Sequence, residues 1–376
     1  MATKRMKFQG SPQFRSAAQP ASPAVPADHS AERPAPRPQE STTPLPPDAA
    51  GDGDGDGGAE RDIVAGIELL QGIKVIRRIA EGGMGTVFLA EQLGTAGFSK
   101  TVAVKIIKRE WLRDKRALGL FIGEAKLVAD LVHDNICQVY SLSRHKGQLF
   151  IVMEYLHGLG MDRFLDAHYQ TGYLPPFEYS AFIASRVCRG LAYAHGKRSR
   201  DGQPLGVVHR DVTPSNVIID YRGSVKLTDF GIALAVSNQI LAGPGVVTGK
   251  LDYMSPEQAL AIEVDARSDV FSLGLCLYEL LTGQPVYNAN DINELREQHK
   301  RAIQSPRVVN PQVPEELALI VMKALAYNPE GRFQTARDFG NSLEYYMYRD
   351  KWGPTNEKLA EYIQKVFPNV DRDRIV

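Results

Sequence analysis

The stretch VVHRDVTPSNVIID, Val207 to Asp220, sets a histidine, an arginine, an aspartate and an asparagine between two apolar, β-branched runs. After Asn216 come VII, the turn residues DYRGS and then VKLT. Short β-branched runs flanking a Gly/Asp/Ser turn predict a hairpin. A hairpin brings its ends together, so the Asn216 amide and the Asp229 carboxylate are expected to converge. Asp211 lies one loop away, within reach of a hydroxyl whose proton it would orient or accept.

Composition narrows the classes around this stretch. The chain has 376 residues, 43% hydrophobic and 23% charged, with 44 basic and 44 acidic side chains. That is long enough for two lobes around a large core. A balanced charge gives no bulk attraction to nucleic acid or a membrane surface. No apolar run approaches the roughly 18 residues of a membrane span. Cys137, Cys188 and Cys276 stand far apart, without CxxC or metal-ligand spacing, which points to buried thiols in a reducing, cytoplasmic setting. The opening MATKRMKFQG lacks a signal-peptide core, and the prolines that follow argue against a transit peptide.

Residues 1–60, rich in Pro, Ala, Ser and Gly and ending in an acidic glycine repeat, are expected to form a disordered tail. Asp52, Asp54 and Asp56 imitate the start of a calcium loop, but Ile63 occupies the position of its bidentate glutamate. From Ile73 the pattern becomes strand, glycine turn, strand, then a further strand KTVAVKII. RALGLFIGEAKLVADLV reads as a helix with an apolar stripe of Leu118, Phe121, Ile122, Ala125, Val128, Ala129 and Val132. Two more strands follow, and beyond Gly158 the chain is mostly helical. The expected class is α+β and bilobal: a small strand-rich lobe over about 73–155, a helical lobe over about 157–346, and a cleft between them.

Several groups converge on that cleft. Gly82, Gly83 and Gly85 lie between strands, where backbone amides can approach phosphates, although glycine turns in hairpins are common for other reasons. On the strand from Thr101 to Ile107, Ala103, Lys105 and Ile107 share one face. Glu124 projects from the apolar stripe of the next helix, where a carboxylate needs a cation, and Lys105 is the natural partner. The oxygens of Asn216 and Asp229 suit Mg²⁺ bridged to nucleotide phosphates.

In this order and spacing the chain resembles the bacterial serine/threonine members of the eukaryotic-type protein kinases, from about Ile73 to Leu343. The matching pieces are IAEGGMGTV, VAVK, GEAKLV, VMEYL, HRDVTPSN, DFG, YMSPEQ, DARSDVFSLG and NPEGRF. The resemblance implies a kinase domain over 61–346, followed by a helical extension over 347–376. It implies ATP and Mg²⁺ as cofactors, protein substrates as partners, and neither nucleic acid nor membrane. Gly82, Gly83 and Gly85 would cover the phosphates, and Lys105, held by Glu124, would contact them. Ile79, Val87, Ala103 and Met153 would line the purine pocket, with backbone groups of Glu154 and Leu156 meeting adenine. Asp211 would be the catalytic base, with Asn216 and Asp229 holding the metal. Asp269 would anchor the catalytic loop, and Glu257 would pair with Arg332.

Three positions depart from the family pattern. Ala80 replaces the first glycine of the loop. Thr213 stands where a lysine is usual, while Lys250 stands where the family carries a threonine. An exchanged pair, with Lys250 restoring the lost cation, is one reading; a solvated Lys250 and weak turnover, as in a pseudokinase scaffold, is the other. Arg210 would pair with a phosphate on Thr248, which with Ser237 is among the few hydroxyls of the activation segment. Near the end, a start signal at Pro354–Thr355–Asn356 precedes an amphipathic helix with Tyr362, Ile363, Val366 and Phe367 on one face, expected to pack on the helical lobe.

Overall fold

The computed structural model describes residues 68–70, 72–82, 85–108, 119, 122, 125, 128–145, 147–230, 251–350 and 352–367. The expectations for the tail 1–60 and for Gly83, Glu124, Ser237, Thr248 and Lys250 lie outside the described residues.

Six strands make one antiparallel sheet: β1 (Glu68–Leu70), β2 (Ile73–Glu81), β3 (Gly85–Leu93), β4 (Ser99–Ile107), β5 (Val139–His145) and β6 (Gln148–Glu154), in the order β1-β2-β3-β4-β6-β5. β1–β2, β2–β3, β3–β4 and β5–β6 pair as chain neighbours through short turns, while β4 pairs with β6. The central strand β4 is covered on both faces, and every residue from Val102 to Ile107 is buried. Ala103 and Ile107 join the main core with Val128, Leu131 and Ile151.

The helix expected ahead of β5 is helical at 119, 122, 125 and 128–129. Its stripe ends one residue differently from the sequence expectation. Val132 is 69% exposed, whereas Leu131 is completely buried. Leu131 N–H donates to Val128 O at 2.9 Å in a tight turn, so helical periodicity stops before Val132 and Leu131, the residue before it, takes the core position.

The second lobe begins with β7 (Gly158–Gly160), α1 (Met161–Thr171) and α2 (Phe177–His195). Then β8 (Val217–Asp220) and β9 (Val225–Leu227) form the predicted hairpin and pair with β7. Helices α3 (Pro256–Ala259), α4 (Ala266–Thr282), α5 (Ile292–His299), α6 (Pro306–Val309), α7 (Glu315–Ala324), α8 (Ala336–Tyr348) and α9 (Asn356–Val366) complete it. α4 is rich in apolar residues and buried from Ser268 to Thr282, its buried Asp269 and Glu279 carboxylates being hydrogen-bonded. It starts at Asp265, which caps Arg267 N–H, and stops at Gly283 with φ of 72°. Helix α2 lies between α4 and α8. The three cysteines are buried free thiols.

α9 seats on the lobe through Leu359 and Ile363, with Thr355 accepting from Lys358 N–H at its start. Tyr362 O–H meets His168 of α1 at 2.7 Å and stacks on Tyr179 of α2. Among the described residues, no helix is long and apolar enough to cross a membrane.

Candidate active site

Cross-strand register assembles one wall. Val87 pairs with Lys105, and Ala103 pairs with Met153. Opposed residues share a sheet face, and so do positions two apart on a strand. Val87, Ala103, Lys105 and Met153 therefore form one surface, apolar except for a single ammonium. Ile79 and Leu156 are buried, each 9% exposed. The Gly82 N–H donates to Gly85 O at 2.9 Å and closes the glycine turn. A Cβ on Gly85 would fall 2.2 Å from Ile106 O, so the sheet demands glycine there whatever lies above it.

At the end of β6, Glu154 N–H donates to Gln138 O at 2.8 Å, and the Glu154 carbonyl accepts from the weak Cys137 thiol donor at 3.6 Å. Its side chain takes Lys226 Nζ at 2.8 Å and Gln138 N–H at 3.2 Å. Asn135 Nδ2 donates to Val225 O, and Cys137 N–H to Leu227 O. These bonds fasten the sheet-rich lobe to the β8–β9 hairpin that carries Asp229.

Lys105 Nζ lies 2.7 Å from Asp229 Oδ1. The lysine is nearly buried, so its charge needs this partner. Asp229 itself has a left-handed φ of 60°, and the preceding Thr228 N–H bonds Asn216 O at 2.9 Å, closing the hairpin as expected. Asn216 Nδ2 donates both to Asp211 O (2.8 Å) and to Asp211 Oδ2 (2.9 Å). With Nδ2 committed to Asp211, what the amide has left to offer is its oxygen, the end a hard cation takes. The donor set of Asn216 and Asp229 thus fits Mg²⁺.

The loop holding Asp211 is pinned from beneath by Asp269 of α4. Its carboxylate accepts His209 N–H at 2.8 Å, Arg210 N–H at 2.7 Å and His195 Nε2 at 2.8 Å. Burial alone would raise this carboxyl; the hydrogen bonds from His195 and His209 outweigh it and hold the pKa below the ordinary range. Burial pushes His209 down, so its ring is neutral. Its Nδ1 accepts Asp211 N–H (3.2 Å) and its Nε2–H donates to Thr228 O (3.0 Å), which ties the two acidic loops together. Thr213 is buried and its hydroxyl meets Ser215 Oγ at 3.1 Å.

Below this, Arg332 clasps Glu257 with two bonds of 2.6 and 2.9 Å, and Ser268 Oγ adds a third at 2.5 Å. Arg332 also donates to Ala326 O, Arg267 O and Tyr327 O. The expected Glu257–Arg332 pair ties α3 to the segment before α8, and Ser268 Oγ and Arg267 O join both to α4.

Residues 73–341 match a family model described as the protein kinase domain. The chain belongs to the protein kinase family. Among curated relatives, it is 40% identical over 294 residues to the tyrosine-protein kinase MasK of Myxococcus xanthus, covering 78% of this chain and 46% of that one. It is 34% identical to the serine/threonine-protein kinase PrkC of Bacillus subtilis, covering 76% and 41%. Against the serine/threonine-protein kinase PknB of Mycobacterium tuberculosis the identity is 37%, covering 70% and 41%. The chain therefore spans less than half the length of these relatives. A crystal structure of the Mycobacterium tuberculosis PknI kinase domain superposes with a TM-score of 0.58 at 25% identity, covering 76% of this chain and 98% of that one. The sheet-rich lobe and helical lobe are those of the kinase fold.

Of the expected kinase residues, Lys105, Asp229, Asn216 and Asp211 are joined by the contacts above, and Asp269 and Arg332 hold the loops. Lys105 meets Asp229; its expected partner Glu124 lies outside the described residues. Three participants escaped the sequence reading: Lys226, His195 and Gln258. Gln258 was visible as part of a Ser255-x-x-Gln258 helix start, but the carbonyl its side chain reaches was not.

Proposed function

We propose that this chain transfers the γ-phosphate of ATP to serine and threonine hydroxyls of protein substrates. The observation that supports this most is the 2.7 Å contact between Lys105 and Asp229, set against an Asp211 carboxylate that Asn216 orients. Phosphoryl transfer asks for positioned charge more than for covalent chemistry. Lys105 neutralises and orients the phosphates from the sheet side. Asn216 and Asp229 would hold Mg²⁺, which supplies positive charge to the phosphate oxygens. Asp211 orients the acceptor hydroxyl and takes its proton. Val87, Ala103 and Met153 pack on the purine, and the Glu154 carbonyl and Leu156 backbone meet its edge. Lys250 stands in for the lysine absent at Thr213, and Arg210 would receive a phosphate on Thr248. The test is transfer from labelled ATP to a generic protein substrate beside Asp211→Asn; equal labelling by the two proteins defeats the reading. Steady-state turnover of Lys250→Ala decides the exchange: parental turnover ends it.

A second acceptor class is favoured by one observation. With Thr213 buried against Ser215, no long cationic side chain rises two residues past Asp211, and a phenol needs more depth than a serine. MasK, at 40% identity, is a tyrosine-protein kinase. Phosphoamino-acid analysis of the labelled substrate separates the two classes.

A further inference from the structure

Gln258 makes two kinds of contact at once. It is the third residue of helix α3, and its Oε1 accepts from Ser255 N–H at 3.1 Å and from Ser255 Oγ at 3.0 Å. With Ser255 Oγ accepting Gln258 N–H at 3.4 Å, this is a capping box that starts the helix. The other end of the same amide leaves the helix. Gln258 Nε2 donates to Arg210 O at 2.7 Å, across 48 residues of chain.

That carbonyl belongs to the peptide unit joining Arg210 to Asp211. Arg210 has a φ of 64°, a left-handed conformation that costs a non-glycine residue about 1–3 kcal/mol and persists only where its surroundings enforce it. On the near side, Asp269 holds Arg210 N–H. On the far side, the Arg210–Asp211 peptide is gripped at both ends: the carbonyl by Gln258 and the N–H by His209 Nδ1. A peptide plane fixed at both ends cannot swing, and the Cα of Asp211 is fixed with it. Ser255 and Gln258 lie beside Glu257, whose clasp by Arg332 sets where α3 sits.

We infer that Gln258 is a positioning residue for Asp211, coupling the seat of helix α3 to the peptide plane from which Asp211 projects. The inference rests on the reading of Asp211 as the base. A merely structural Gln258 would act only through the helix start.

Gln258→Glu separates the two roles in the 376-residue chain. A glutamate at this position of a capping box keeps the acceptor for Ser255, so helix and fold are retained. It removes the donor to Arg210 O and sets a carboxylate oxygen against a carbonyl. The expected result is a fall in kcat for protein phosphorylation of about tenfold, with KM for ATP and the melting temperature as in the parent. Deuterium uptake in the peptide covering residues 207–216 should also rise. A parental kcat, or deuterium uptake unchanged in that peptide, overturns the inference. An inactive parent chain would defeat the reading of Asp211 instead, and deuterium uptake alone would then decide the role of Gln258. A loss of melting temperature equal to that of Ser255→Ala would assign Gln258 to the helix start and overturn the inference as well.

Discussion

The ammonium of Lys105 and the carboxylate of Asp229, 124 residues apart in sequence, meet at 2.7 Å. One side chain comes from the central strand of the sheet and the other from the end of the β8–β9 hairpin. The contact therefore spans the two lobes and marks where they face each other. Neither group belongs to a helix or strand pattern that required its partner.

Replacing Lys105 with Met tests what that contact does. The methionine keeps much of the volume on the covered face of β4 and removes the charge. Transfer from ATP should fall by at least about a hundredfold. Asp229 is 30% exposed at its side chain and can take up water, so the fold should survive. Circular dichroism and a labelled-ATP assay on the same preparation check both halves.

Arg332 is different, because its side chain is fully covered and Glu257 is nearly so. Arg332→Ala leaves a buried carboxylate without its cation, at a cost of about 3–5 kcal/mol. Burial alone would raise the Glu257 pKa, yet the bonds from Arg332 and Ser268 leave it below the ordinary glutamate range. A lowered carboxyl stabilises the fold above its unfolded pKa, and that contribution disappears as pH falls through the lowered folded value. The parent should thus lose stability on the acid side of the ordinary glutamate range. Denaturant titrations across pH should show this limb in the parent and its absence in the variant.

The seat of α9 has its own acid limb. His168 Nδ1–H donates to Phe164 O at 2.7 Å, so Nε2 is the acceptor for Tyr362 O–H. Burial holds the imidazole at about 4. A lowered histidine contributes stability above its ordinary pKa of 6.5, and this drains as pH falls toward 4, by about 1.4 kcal/mol per unit. Tyr362→Phe removes the hydroxyl, leaves Nε2 without it, and should cost about 1–3 kcal/mol at neutral pH. Melting curves between pH 7 and pH 4 measure both effects.

Gly223 offers a backbone test of the same docking. It has a φ of 82° in the β8–β9 turn, and a Cβ there would lie 1.7 Å from Asn356 O. Gly223→Ala must push the start of α9 off the turn. The expected outcome is faster proteolysis after residue 350 together with a lowered melting temperature. Resistance equal to the parent would show that α9 is held without that contact.

Much of this architecture was legible in advance, and the misses have a common cause. The β8–β9 hairpin followed from two β-branched runs and a turn, because hairpin pairing is local. The end of the helix ahead of β5 did not follow: Leu131 and Val132 are equally apolar, and only the turn closed on Val128 O selects the first. Gly85 was legible as a glycine turn, but its tight constraint comes from Ile106 on another strand.

Spacing along the chain was enough to nominate the candidate site residues and to predict the order of strands and helices, since repeat period and turn chemistry act within a few residues. Which groups touch was decided by the packed lobes. A buried charge or a left-handed peptide must find whatever partner the assembled core brings within about 3 Å, and that partner sits 48 residues away for Arg210 and 124 for Lys105. No local pattern encodes those distances, because they arise only when burial closes the long loops between them.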